Sequence, residues 1–158
     1  KNLKNVLSLS QSTKFNSFLE EICKKNNWNF KSFNKHINPI FNIEDLIKES
    51  DLVVSLGRGV YEGMSCGKNV LVADWRDYQH FHGPIMDGLV TEENIKTLLF
   101  NNCSGRAKKI PINEKNITDE MKKYSIKNCD FNNNFVLKNL NIENQVKKML
   151  SIADKYKG

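Results

Sequence analysis

Residues 51–75, "DLVVSLGRGVYEGMSCGKNVLVADW", constrain the chain most. Leu52-Val53-Val54 and Val70-Leu71-Val72 are short apolar runs without polar alternation. Such runs mark strands buried on both faces, the setting a parallel sheet provides. Between them lies a short helical segment. It opens after Gly59 and ends at Gly67, a residue type suited to the left-handed turn that closes helices. Strand, helix and strand follow one another with glycines at the joints.

The same alternation extends along the chain. Asn5 to Ser10 reads as a buried strand running into a loop. Phe15, Phe18, Leu19, Ile22 and Cys23 recur at helical spacing over Phe15 to Lys25. Trp28-Asn29-Phe30 alternates like a second strand. Pro39 sits in a loop, and Asn42 is placed to cap a helix from Ile43 to Glu49. Glu44 and Asp45 fall in its first turn, where the helix dipole favours acids. Thr91 is positioned to cap a helix from Glu92 to Phe100. Residues 104–116 read as loop or extended chain. Ile142, Val146, Met149, Leu150 and Ala153 share one face of an amphipathic helix over Ile142 to Tyr156. Strands alternating with helices predict an α/β fold, a Rossmann-like parallel sheet with flanking helices. The expected organisation is a ligand-binding domain over residues 1–110 and a helical extension over 111–158 packed on it.

Composition narrows the function classes. A length of 158 residues suits one domain, and nine Phe and two Trp supply core material. The net charge of +6 comes from lysines spread from Lys1 to Lys157 with no block of like charges. That distribution does not mark a nucleic-acid face, whereas a small phosphate-bearing ligand fits it. Cys23, Cys66, Cys103 and Cys129 are widely spaced, with no C-x2-C pair. They read as reduced thiols of a cytoplasmic protein rather than metal ligands. His80 and His82 lack a carboxylate or Cys at ligand spacing, so no metal site is expected. No run approaches 18 apolar residues, the length of a membrane span. The chain begins at Lys1, which reads as part of something longer.

The strand-to-helix joint carries the chemistry. Gly57 and Gly59 allow a tight turn and close approach of backbone to a ligand. The following helix turns its N–H groups and positive dipole end to the same space. Arg58 adds a fork of donors matched to phosphate oxygens. Together they predict an anion site, most naturally for a diphosphate. The competing account is a tight turn with a solvated Arg. Glu62 lies just inside the helix, where a second anion beside a phosphate is unfavourable. A carboxylate there can instead accept hydrogen bonds from ribose hydroxyls. It could equally be a Glu that merely favours a helix N-terminus. Asp74, Trp75 and Arg76 follow the second apolar strand and read as a sugar pocket or as a charged loop. Cys66 and Ser65 read as mid-helix residues, Cys66 as a core thiol. Arg106 reads as a further anion contact or as a surface residue.

"ESDLVVSLGRGVYEGMSCGKNVLV", residues 49–72, resembles the nucleotide-sugar-binding half of GT-B glycosyltransferases. The matching positions are Asp51, Leu52 to Val54, Ser55, Glu62, Gly63, Met64, Gly67 and Val70 to Val72. "MDGLVTEENI", residues 86–95, is similar to that family's later Asp-Gly turn into a helix. "NNCSGR", residues 101–106, resembles a segment of some relatives, and "VLSLSQSTK", residues 6–14, the first strand and its phosphate loop. The resemblance implies that Glu62 binds ribose, that Gly57, Arg58, Gly59 and Lys14 hold the diphosphate, and that Phe41 lies near the base. It implies sugar transfer from a nucleotide diphosphate sugar to an acceptor hydroxyl, without metal or other cofactor, in the cytoplasm or at the inner face of a membrane. It also implies an N-terminal acceptor domain beyond this chain. Asn69 stands where the family usually has Pro, and Val54 where many retaining members have a second Glu. The rival expectation is a nucleotide-binding module without catalysis.

Overall fold

The computed structural model describes residues 2–33, 42–75, 84–101, 103–105 and 107–139. Phe41, Arg76, His80, His82, Arg106 and the expected helix over 142–156 lie outside the described residues. Six strands form one sheet: β1 Asn5–Ser8, β2 Asn29–Ser32, β3 Leu52–Ser55, β4 Asn69–Asp74, β5 Ile85–Leu89 and β6 Ile110–Pro111. Their spatial order is β2-β1-β3-β4-β5-β6, with β2, β1, β3 and β4 mutually parallel. This is a Rossmann-like α/β fold. Strand order reverses between β1 and β3, so the crevice at their carboxyl ends is the topological switch point.

The apolar runs behave as their composition dictates. All four residues of β3 and all six of β4 are buried. Side chains alternate between two layers. Val53, Val70 and Val72 face helices α2 (Ile43–Glu49), α3 (Arg58–Ser65), α4 (Ile95–Phe100) and α6 (Ile126–Asn139). Leu52, Val54 and Leu71 face α1 (Thr13–Lys25) and α5 (Glu114–Met121). Asn42 caps α2, its side chain accepting from Glu44 N–H at 3.0 Å. Helix α4 starts at Ile95 rather than Glu92. Residues 92–94 form a turn, in which the Asn94 side chain accepts from Thr91 N–H at 2.8 Å.

Sheet direction changes after β4. Strand β5 runs antiparallel to β4, and β6 antiparallel to β5. The β4–β5 connection, residues 75–84, is shorter than the dozen or so residues a parallel return requires. Residues 110–111, within the stretch expected to be loop or extended, pair with β5. Helices α5 and α6 then close the two faces, α5 through Ile117 and Met121 and α6 through Val136.

Two resemblance positions prove to be structural fasteners. Asp51 accepts from Asn5 N–H at 2.8 Å and Lys4 N–H at 3.3 Å, joining the start of β3 to the start of β1. Asn69 is fully buried, and its amide donates to Ser125 carbonyl at 2.9 Å and accepts from Asn128 Nδ2 at 3.2 Å. A proline there could not hold α6 in this way.

Candidate functional site: the carboxyl edge at the strand-order reversal

Helix α3 begins at Arg58, so Gly57 is its N-cap and Glu62 its fifth residue. The two glycines of the joint do different work. Gly57 has φ +57° and ψ −118°, a conformation that disfavours any side chain, and a Cβ there would meet open space. Gly59 is a packing residue: its Cβ would run into Ser55 Oγ and come within 3.1 Å of Leu9 Cδ1. At Gly63, one turn on, a Cβ would lie 2.8 Å from Val70 Cγ2. These two glycines seat α3 directly on β3 and β4. Gly59 therefore faces the sheet, whereas the space beside Gly57 is open.

No side chain caps α3. Arg58 and Glu62, one turn apart, form an ion pair with Nε to Oε1 at 3.8 Å. The Arg58 side chain is 54 % exposed and that of Glu62 35 %. Burial raises the Glu62 carboxyl above its usual value, and the Arg58 charge opposes that rise. An exposed guanidinium and a half-buried carboxylate thus stand together on the first turns of a helix whose N-terminus meets the crevice.

The loop near residue 103 completes this edge. Gly57 N–H donates to Cys103 carbonyl at 2.9 Å. Cys103 has φ +49° and is fully buried, with its thiol hydrogen-bonded to the Tyr61 hydroxyl. Burial pushes the thiol up to about 11 and raises the Tyr61 hydroxyl as well. Asp87, fully buried within β5, accepts from the N–H groups of Gly105 at 3.1 Å, Ala107 at 2.8 Å and Lys108 at 3.0 Å. Three backbone donors compensate the burial of a carboxylate. Gly57, Asp87 and the loop over 103–105, separate in sequence, are therefore joined by hydrogen bonds.

Asp74 ends β4, 3 % exposed, with Gly105 seated against its Cβ. Its neighbours Ala73 and Trp75 line a cavity of about 420 Å³ to which Asp74 itself does not contribute. Leu9, Ser10, Gln11, Ser12, Phe15 and Leu56 supply much of the rest. Lys14 is exposed in the first turn of α1, two residues past the Ser12 cap. Cys66 is the C-cap of α3 rather than a mid-helix residue. Gly67 follows at φ +72°, as expected of the residue that ends this helix.

No family model, curated protein or solved structure matches this chain. The site's chemistry is accordingly read from its own residues. Among the described residues, no group of three His, Cys, Asp or Glu side chains is placed to hold a metal ion. No described helix is long and apolar enough to cross a membrane.

The sequence marks the Asp87 anchorage and the cavity only faintly. An Asp-Gly pair inside an otherwise apolar run was the available signal for the first. For the second it was the Ser-x-Ser sequence after β1 together with an aromatic residue after β4.

Proposed function

We propose that this domain binds the nucleotide diphosphate sugar of a GT-B-type glycosyltransferase. The observation that carries the reading is convergence. Gly57 N–H donates to the Cys103 carbonyl and Gly105 N–H to the Asp87 carboxylate, which ties the Gly57-Arg58-Gly59 joint, strand β5 and the Cys103 loop together. These are the segments whose sequences resemble that family. Ligands of open α/β sheets bind at this edge, where strand order reverses.

In this reading the diphosphate lies against the α3 N-terminus. Arg58 turns from Glu62 to the phosphate oxygens, Lys14 adds a second cation, and Glu62 accepts from the ribose hydroxyls. During transfer the bond from the anomeric carbon to the phosphate oxygen breaks, and one to the acceptor oxygen forms. Negative charge gathers on the leaving diphosphate, where fixed donors stabilise it most effectively. The acceptor's proton passes to a base in a partner domain N-terminal to this chain. The domain works in the cytoplasm or at the inner face of a membrane.

Calorimetric titration with UDP, GDP, ADP and their sugars tests the reading. One of the series should bind with a Kd below about 1 mM, a free energy of roughly 4 kcal/mol or more. Its 2′,3′-dideoxy analogue should bind more weakly. Absence of binding by every member would remove the donor site. Efficient sugar transfer by this chain alone would remove the need for a partner domain.

A further inference from the structure

A second site lies at the same edge of the sheet. The cavity of about 420 Å³ is walled by Leu9, Phe15, Val54, Leu56, Ala73 and Trp75, and no charged side chain lines it among the described residues. None of these described side chains offers a phosphate or carboxylate a counter-charge. Part of its polar rim is engaged by the protein. Ser10 Oγ accepts from Ser12 N–H at 3.1 Å, and Ser12 Oγ accepts from Phe15 N–H at 3.2 Å. Gln11 Nε2 donates to Leu9 carbonyl at 3.2 Å. An apolar ring would bury its surface here without needing a hydrogen-bond partner.

The aromatic wall is fixed in advance. Trp75 stacks on Phe15 with centroids 5.3 Å apart and leans on Phe18 at 5.2 Å. Phe15 is itself 1 % exposed and anchored in the core, so the Trp75 ring is held in place. A preformed, mainly apolar hollow of this size at a switch point is the usual form of a small-molecule site.

We propose that this cavity binds an uncharged apolar group of about one ring in size. The binding itself requires neither Arg58 nor Glu62.

The test uses Trp75 as reporter. The chain has two tryptophans, so Trp28→Phe leaves Trp75 alone. Nitrobenzene, a neutral ring that quenches indole emission, should quench it saturably. Cyclohexanol should compete, and 4-nitrobenzoate should bind at least about tenfold more weakly, the equivalent of one uncompensated polar burial. Ala73→Leu fills the cavity from β4 and should weaken nitrobenzene at least about tenfold, the burial of one or two methylene groups. Leu56→Phe fills it from the opposite wall and serves if the first variant fails to fold. Arg58→Ala should leave nitrobenzene binding unchanged. Linear, unsaturable quenching, or equal affinity in a folded cavity-filled variant, overturns the proposal. Competitive displacement by UDP overturns it too, because the hollow would then belong to the donor. Failure of UDP to bind at all bears on the proposed donor site and leaves this result standing.

Discussion

Two helix N-termini meet the same crevice from opposite faces of the sheet, and their sequences treat it differently. At the β1–α1 joint, Ser12 caps the helix, Ser10 holds Ser12, and Ser8 Oγ donates to Asn16 at 2.6 Å. The hollow beside it is lined by no charged side chain among the described residues. At the β3–α3 joint the cap is a glycine with no side chain, and the charges of Arg58 and Glu62 stand beside it. Equivalent topology therefore yields two chemistries, decided by whether the joint is written in serine or in glycine. At the serine joint a side chain takes up a helix N–H, and Lys14 stands exposed in the first turn; at the glycine joint no side chain caps the helix, and Arg58 supplies the charge.

The largest expected effect breaks the charged side of this contrast. Arg58→Ala should weaken nucleoside diphosphate binding by about 1.5–3 kcal/mol, the range for a hydrogen bond to a charged group, and barely alter the bare nucleoside. Titration of both ligands checks it; equal losses would place the effect in folding. Next is the packing under the same joint. Gly59→Ala forces a Cβ into Ser55 and should destabilise the fold by about 1–3 kcal/mol in urea unfolding. Ser55→Ala removes the offending oxygen, so the double variant should recover part of that loss. Purely additive losses would mean that Gly59 matters for backbone freedom instead.

On the serine side, Ser12→Ala deletes a cap and should cost about 1 kcal/mol of stability, within the usual range of 0.5–2. Because the α1 cap holds the cavity rim, nitrobenzene affinity should fall with it while diphosphate binding is retained. A loss confined to the diphosphate would reverse the assignment of the two joints.

Much of this arrangement is legible in the sequence, and its limits have physical causes. Strands β3 and β4 announce themselves because both faces are buried and local composition alone records it. Asn42 marks α2 because capping is a local interaction. Strand β5 is obscured because Asp87 and Gly88 interrupt its apolar run. Both are reconciled from a distance: Asp87 by the N–H groups of residues 105–108, and Gly88, at φ +90°, by Glu120, whose carboxylate accepts from Leu89 N–H at 2.9 Å. Helix α6 is hidden by asparagines and by the exposure of Ile126 and Leu137 on its outer side. Asn113 did offer a signal for α5, since its side chain accepts from Asn116 N–H at 2.8 Å. At the joint, the sequence identifies two glycines but not their division of labour. Only the positions of Ser55 and Leu9 reveal that Gly59 faces the sheet.

The smallest expected effect concerns the protonation of Glu62. Burial raises its carboxyl above the usual 4.5, against the opposing pull of Arg58. The folded state therefore holds this proton more tightly than the unfolded chain does. The stability it contributes is complete below the unfolded value and is lost as pH rises through the raised folded one. Glu62→Gln cannot titrate. Relative to wild type it should gain stability as pH rises across that window, and the difference should level off above it. Arg58→Ala removes the opposing charge, so its own loss of stability with rising pH should be steeper than that of wild type. Urea midpoints of the three proteins at closely spaced pH values between about 4 and 7, bracketing the carboxylate range, check both slopes. A Glu62→Gln difference that does not change with pH would mean that the pair is solvated and Glu62 ionises normally. The half-buried carboxylate would then lose its distinction from an ordinary residue of a helix's first turns. With it would go the electrostatic part of the contrast between the two joints, leaving only the difference in caps.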